Sequence, residues 1–221
     1  IKFLYIGSFM VRYHFIYIFL LVTLSCSGKK EKPSTVLPEE VIQLKSGNYS
    51  IMPKSSTVEW IGKELSTKIH TGTLNINSGS IDIDVDNRIS GKIEIDMGSL
   101  IVTDLEGRGK EALEGHLKSD DFFATNKFPK STLLFQSNGI FKKTNQLFFQ
   151  GDLIIKGISH GIEFYATLLE NSNYLKANAK MIFDRSKYNV RFRSGTFFDD
   201  LGDKLILNDI NVGVSLVAVN K

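Results

Sequence analysis

Hydrophobic and polar residues alternate with period two along much of this chain. The clearest run sets Ile81, Ile83 and Val85 against Asp82, Asp84 and Asp86, turns at Asp86-Asn87, and resumes with Ile89, Gly91, Ile93, Ile95 and Met97 against Ser90, Lys92, Glu94 and Asp96. One apolar and one charged face per strand predicts antiparallel strands with one wet side. The carboxylates of this run read as that solvated face rather than as a metal or acid/base site. Upstream, residues 57–65 alternate with Val58, Trp60 and Gly62 on one side. After a short turn at 66–68, residues 69–76 complete a hairpin. Further strands are expected at 131–137, 147–157, 158–169, 175–183 and 205–219, the last with Ile210, Val212, Val214, Leu216 and Ala218 on one face.

Between residues 103 and 117 the period changes. Leu105, Ala112, Leu113, His116 and Leu117 fall near one helical face, and Thr103-x-x-Glu106 has the form of a capping box. Gly107, Gly109 and Gly115 weaken a helix intrinsically, so packing has to hold it, as a plug at one end of a sheet structure. About eight to ten one-sided strands must stack as a sandwich or close as a barrel, and closure removes exposed edges. An eight-stranded barrel can enclose a small ligand.

Composition narrows the class. Hydrophobic content of 42%, with 16 Phe, supports a substantial core. The formal charge is +3, and without Lys2 and Arg12 it is 25 basic against 24 acidic, or +1, so no basic face for nucleic acid is evident. Residues 15–24, FIYIFLLVTL, follow Arg12 and precede small polar residues in the order of a secretory signal, with Met10 as a candidate start. The run falls short of the ~20 apolar residues that span a bilayer. The single cysteine, Cys26, follows it directly. Leu24-Ser25-Cys26 resembles a bacterial lipobox, although Thr23 stands where Leu, Val or Ile is usual. The expected organisation is a lipoprotein-type signal at 1–25, a charged, proline-containing tether at 26–47 and a β-domain at 48–221. Acylated Cys26 would hold the protein on a membrane, in the periplasm or at the cell surface.

Several ordered motifs then identify a family resemblance. GHLKSDDFF at 115–123, Lys127-Phe128-Pro129-Lys130-Ser131-Thr132, GDLIIKGISHGIEF at 151–164 and Phe183-Asp184-Arg185-Ser186-Lys187-Tyr188 together resemble the YceI-like family of exported bacterial proteins. Trp60, His70-Thr71-Gly72 and Asp96-Met97-Gly98-Ser99-Leu100 fit the same pattern, so the likeness covers about residues 49–220. It implies an all-β fold, an extended antiparallel eight-stranded lipocalin-like barrel with one plugging α-helix. It also implies a ligand class, a long-chain isoprenoid or fatty amphiphile. The chain departs from the family where a Thr pair is common, with Ile154 and Ile158-Ser159 in its place. The stretch 191–204, RFRSGTFFDDLGDK, is longer than a plain turn and reads as a lid or rim.

An amphiphile needs a dry tunnel for its tail and a few polar groups for its head. The expected lining is Trp60, Leu74, Ile76, Ile93, Ile95, Phe135, Phe149, Leu153, Phe164, Phe183, Val212 and Val214. On pattern alone a core filled by these same side chains is an equal alternative. Head-group candidates are His116 and Asp120, with Ser119 and Asp121 beside them, and Arg185, Arg191 and Arg193. Alternatively His116 caps its helix, and the arginines pair with Asp199, Asp200 or Asp203. No Ser-centred nucleophile elbow, phosphate loop or short histidine spacing points to an enzyme or a bound metal. The expected partner is therefore a long-chain lipid, with an isoprenoid quinone or its precursor as the leading example and no other cofactor. A ligand-free envelope interaction module is the rival, and homodimerisation is left open.

Overall fold

The structure, a computed structural model, describes residues 44–66, 68–137, 146–171 and 174–221. The signal segment, Cys26 and most of the tether lie outside the described residues. Among the described residues nine strands and one α-helix follow in order: β1 (Gly47–Ile51), β2 (Thr57–Lys63), β3 (Ile69–Ile83), β4 (Ile89–Val102), α1 (Gly107–Lys118), β5 (Lys130–Ser137), β6 (Gln146–Ile155), β7 (Ile158–Asn171), β8 (Tyr174–Asp184) and β9 (Asp209–Asn220).

All pairings are antiparallel, and the sheet closes on itself as an eight-stave barrel. β2 through β9 pair in sequence, and β9 returns to β2 with Trp60 opposite Val212. β1 adds no ninth stave. It lies between β3 and β9, where Tyr49 faces Ile81 and Asn220, and so continues the stave of β2. The break between them is a 3₁₀ turn at Pro53–Ser55, because proline cannot donate a ladder hydrogen bond. The Met52 N–H still reaches Val217 O at 2.8 Å, which keeps the two pieces in one line.

Alternation places the apolar residues inside, as in β2, where Val58 and Trp60 are buried between exposed neighbours. Two sequence expectations need correction here. The runs at 69–76 and 81–85 belong to one 15-residue strand, β3, carried through the polar stretch by two register shifts against β4. Val85 is not an inward strand residue. It is 84% exposed in the following turn, where the Asp84 carboxylate accepts the N–H groups of Asp86 and Arg88.

The helix also starts later than the capping-box pattern predicts. Thr103 is still tied to the sheet, with its N–H on Thr71 O and its hydroxyl 3.1 Å from that of Thr71. The N-cap is Glu106, which makes no side-chain cap bond, and Gly107 at φ 55° turns the chain into α1. Glu114 reaches back from inside the helix to the Val102 N–H at 2.8 Å. Leu117 on the inner face packs with Trp60, Leu100, Val102, Phe122 and Val190, so α1 covers the upper end of the barrel. The opposite end is closed by a separate core cluster that includes Leu44, Tyr49, Ile83, Ile89 and Leu175.

Candidate lipid-binding chamber

The motifs that mark the sequence mostly build backbone geometry. In Asp96-Met97-Gly98-Ser99-Leu100 the Asp96 carboxylate accepts the Gly98 N–H. The Ser99 hydroxyl donates to Asp96 O at 2.6 Å and accepts the Asn75 N–H at 2.8 Å, fixing the bulge of β4 against β3. Asp184 accepts both the N–H and the hydroxyl of Ser186, which starts the 3₁₀ turn Arg185–Tyr188. Lys156, in the β6–β7 turn, donates to Phe122 O and Asn189 O, both at 2.9 Å, and so ties the segment after α1 to that turn. In GHLKSDDFF, Ser119 caps α1 through bonds from its N–H and hydroxyl to His116 O. Phe122 then turns inward.

These constraints leave the upper barrel hollow. A cavity of about 350 Å³ lies beneath α1 and the 190–206 loop. Trp60, Leu74, Ile93, Ile95, Leu153, Phe183, Val212 and Val214 from the expected tail lining all face it. Leu117, Phe122 and Phe123 close it from the helix side, Phe192 and Ile206 from the loop side, and Ile210 from the start of β9. The stretch at 191–204 therefore contributes a rim. Met181 and Ser131 also line the cavity, and both stand at inward positions of the alternation.

The lower barrel is filled. Phe149 stacks on Phe164 with centroids 5.4 Å apart and planes 11° apart, and Phe135 meets both rings edge-on at 5.6 and 6.4 Å. Only about 40 Å³ remains among them and their neighbours. The two spaces meet at Ile93, Leu133, Met181 and Val214, which line both. The three Phe thus stand as a floor below the chamber, and Ile76 is buried in the core without lining either space.

The head-group candidates separate. His116 faces the chamber, its ring set edge-on to Phe122 and Phe192 at 5.0 and 4.3 Å. Asp120 is exposed and paired with Lys127 at 2.6 Å, and Asp121 is exposed 3.9 Å from His116. Arg191 is exposed, bonded to Asn189 Oδ1 and laid over the Phe197 ring, and Arg193 lines the rim against Phe192. Arg185 is fully buried and lines the chamber wall. Its Nε, Nη1 and Nη2 donate to the carbonyls of Leu207, Val190 and Ile206 at 3.2, 2.9 and 3.0 Å. Burial pushes the guanidinium down to about 10, opposed by Asp184. None of the three arginines forms an ion pair with Asp199, Asp200 or Asp203 among the described residues, where Arg185 takes carbonyls instead.

At the mouth stand Lys63, Glu64 and His70, the last absent from the expected site. His70 Nδ1 lies 2.8 Å from Asp104 Oδ2, and the Thr71 N–H donates to Asp104 Oδ1 at 2.8 Å. One further sequence reading needs amendment. Gly157-Ile158-Ser159-His160-Gly161 does carry the Gly-x-Ser-x-Gly spacing of a nucleophile elbow. The structure puts it across the β6–β7 hairpin, with exposed Ser159 opposite Ile154 and no helix following. His160 Nε2 lies 3.0 Å from Lys187 O. Among the described residues no group of three or more His, Cys, Asp or Glu is placed to hold a metal.

The YceI-like domain family matches residues 49–218 of the chain. Among solved structures, Burkholderia cenocepacia BcnA is similar at 19% identity and a TM-score of 0.59, covering 76% of this chain and 99% of that one. A polyisoprenoid binding domain from Saccharophagus degradans, described as implicated in plant cell wall breakdown, is similar at 12% identity and a TM-score of 0.56. That alignment covers 78% of this chain and 98% of the other. No curated protein sequence matches the chain.

Proposed function

The chain belongs to the YceI-like domain family, and from that premise we propose that it binds one long-chain amphiphile, isoprenoid or fatty-acid-like, and sequesters or carries it at the cell envelope. The observation that carries this reading is the apolar chamber of about 350 Å³ under a helical cover. The polyisoprenoid-binding description of the Saccharophagus degradans domain supports the ligand class.

At roughly 30 Å³ per water-sized group, the chamber holds about a dozen methylene-sized groups. Each buried CH₂ contributes about 0.8 kcal/mol, so such a tail supplies on the order of 10 kcal/mol before the costs of immobilisation. Micromolar binding needs about 8 kcal/mol. A longer isoprenoid has to project past the Lys63–His70 mouth or displace the Phe135, Phe149 and Phe164 floor.

The rival reading, a barrel filled by its own side chains, describes the lower half alone. Binding rather than catalysis is also part of the proposal, since His160 and Ser159 lie outside the chamber lining. In this reading acylated Cys26 tethers the domain to a membrane. Its outer wall carries the exposed Phe148–Tyr165 ring pair, 5.3 Å apart, as the face to examine for a homodimer.

Denaturing extraction of protein purified from its host, followed by mass spectrometry, tests the proposal. Near-stoichiometric lipid supports it, and an extract without lipid contradicts it.

A further inference from the structure

The mouth of the chamber is framed by two turns that the backbone ties together. At the end of the β2–β3 hairpin the Leu65 N–H donates to Leu205 O at 2.7 Å, and Lys63 O accepts the Leu207 N–H at 2.8 Å. The Ile206 N–H donates in turn to Arg193 O at 2.9 Å, and the Asn208 side-chain amide to the Thr196 hydroxyl at 2.8 Å. The segment 205–208 therefore joins the hairpin end to the 191–198 turn. Lys63, Glu64, Arg193 and Ile206 along this junction line the chamber.

Both turns expose apolar side chains beside that mouth. Leu65 and Ile69, the latter opposite Lys63 in the hairpin, are each more than half exposed. Phe198 is half exposed and Phe197 more than a third, and both their N–H groups rest on Ser194 O, one residue from Arg193. Exposed apolar residues scattered singly are ordinary, but four on two bonded turns around one opening form a group. The Arg191 guanidinium lies 4.8 Å from the Phe197 ring centroid, and that of Arg193 5.0 Å from the Phe192 ring. Long basic side chains laid along aromatic rings suit the boundary between acyl chains and head groups. The loop 191–204 sets Arg191, Arg193 and Lys204 against Asp199, Asp200 and Asp203, so its attraction to a bilayer has to be apolar rather than electrostatic.

We propose that Leu65, Ile69, Phe197 and Phe198 form a docking rim that seats the chamber mouth in the surface of a lipid bilayer. This rests on the lipid-binding reading above, because a bilayer is where a long-chain amphiphile is held. A tail that crossed water between bilayer and chamber would expose every methylene, whereas a mouth seated among acyl chains keeps it in apolar surroundings. The tether permits this orientation. The chain enters the barrel at the closed end, where the Leu44 N–H donates to Asn87 Oδ1 at 3.0 Å. The roughly 17 residues between Cys26 and Leu44 reach at most about 60 Å, against about 50 Å for the 15 residues of β3. An anchor at Cys26 thus leaves either end of the barrel able to face the membrane, and the rim selects the mouth.

The test is tryptophan fluorescence of the full chain reconstituted in phosphatidylcholine vesicles whose acyl chains carry bromine. Trp60, the only tryptophan, gives the background in the wild type. Leu65→Trp and Phe198→Trp add a reporter on each rim turn, and Tyr174→Trp adds one on exposed surface at the closed end, beside Leu175. Apolar groups held at a bilayer surface sink roughly 5–10 Å into it, so bromine should quench the added emission of both rim reporters and spare that of Tyr174→Trp. In vesicles without bromine the rim reporters should emit further to the blue than in buffer. Should either rim variant fail to fold, Ile69→Trp or Phe197→Trp takes its place on the same turn. Quenching that is absent at the rim, present on one turn alone, or equal at Tyr174→Trp would overturn the docking rim. Titration of the same proteins with dodecanoic acid keeps the two readings apart. Acid bound without rim quenching leaves the lipid-binding reading standing, and no acid bound contradicts that reading whatever the rim does.

Discussion

Trp60 packs directly against Gly72, its register partner in β3. A Cβ at position 72 would fall 2.4 Å from Trp60 Cζ2 and 1.9 Å from the carbonyl oxygen of Ile101. The glycine is needed for close approach, and its absent side chain is what lets the indole form the chamber wall. Gly72→Ala should therefore push the ring into the chamber or the strands apart, at a cost of about 1–3 kcal/mol as for other overpacked sites. Urea denaturation measures the cost. Emission of this tryptophan, the only one in the chain, reports the displacement. Unchanged stability and spectrum would mean that the contact is not tight.

The aromatic floor sets how deep a tail can go. Phe149→Ala removes a ring stacked at 5.4 Å on Phe164 and should destabilise the barrel by about 3–5 kcal/mol. It should also join the lower void to the chamber. In a series of fatty acids of increasing length, the best-bound tail should lengthen in this variant, and in Phe149→Leu to a smaller degree. An optimum that stays put in both variants would remove the floor from the account.

Arg185 ties two backbone segments together, donating to Val190 O in one and to Ile206 O and Leu207 O in the other. Arg185→Met keeps much of the stem and leaves those buried acceptors without a donor, each loss costing about 1–3 kcal/mol where water cannot enter. Arg185→Lys retains the charge but not the planar fork, so it should recover only part of the loss. Chemical denaturation of the three proteins gives the order directly, wild type above Lys above Met.

The mouth clasp gives a pH dependence with a definite sign. Burial works against the Asp104 carboxylate, but bonds from the Thr71 N–H and His70 outweigh it and hold the group below its usual value of 3.8. In the window below 3.8 the unfolded chain binds the proton and the folded chain does not. The stabilisation is present above that value and is lost as pH falls through the folded one. The stability difference between wild type and Asp104→Asn should shrink as the medium is taken from about pH 6 to about pH 3. A difference that does not change with pH would show that the carboxylate is not held in this way.

Membrane attachment is tested at Cys26. Cys26→Ser should abolish labelling by radioactive palmitate in the host and move the protein from the membrane to the soluble fraction. Wild-type protein that takes up no label contradicts the anchor.

Period-two alternation made most of the wall legible in the sequence, because each strand keeps one apolar face. It put Trp60, Val212 and Val214 inside together from two separate runs. It failed where polar residues sit within a strand. The stretch Asn77-Ser78-Gly79-Ser80 looks like a loop, yet after a register shift between Ile76 and Ser78 it pairs in step with β4, Ser78 with Glu94, Gly79 with Ile93 and Ser80 with Lys92. The capping box at Thr103 was a correct pattern in the wrong place, since pairing with Thr71 held that residue in the sheet. Depth was not legible at all. Whether Phe135, Phe149 and Phe164 line a tunnel or stack on one another depends on the stagger of three strands, which no local pattern records.

The most direct measurement is a crystal structure of the protein purified from its host without delipidation. Continuous density within the upper chamber down to the Phe149 ring, of a length matching a single tail, is the result predicted here. A chamber filled by repacked side chains, with no density for a bound molecule, would contradict the account.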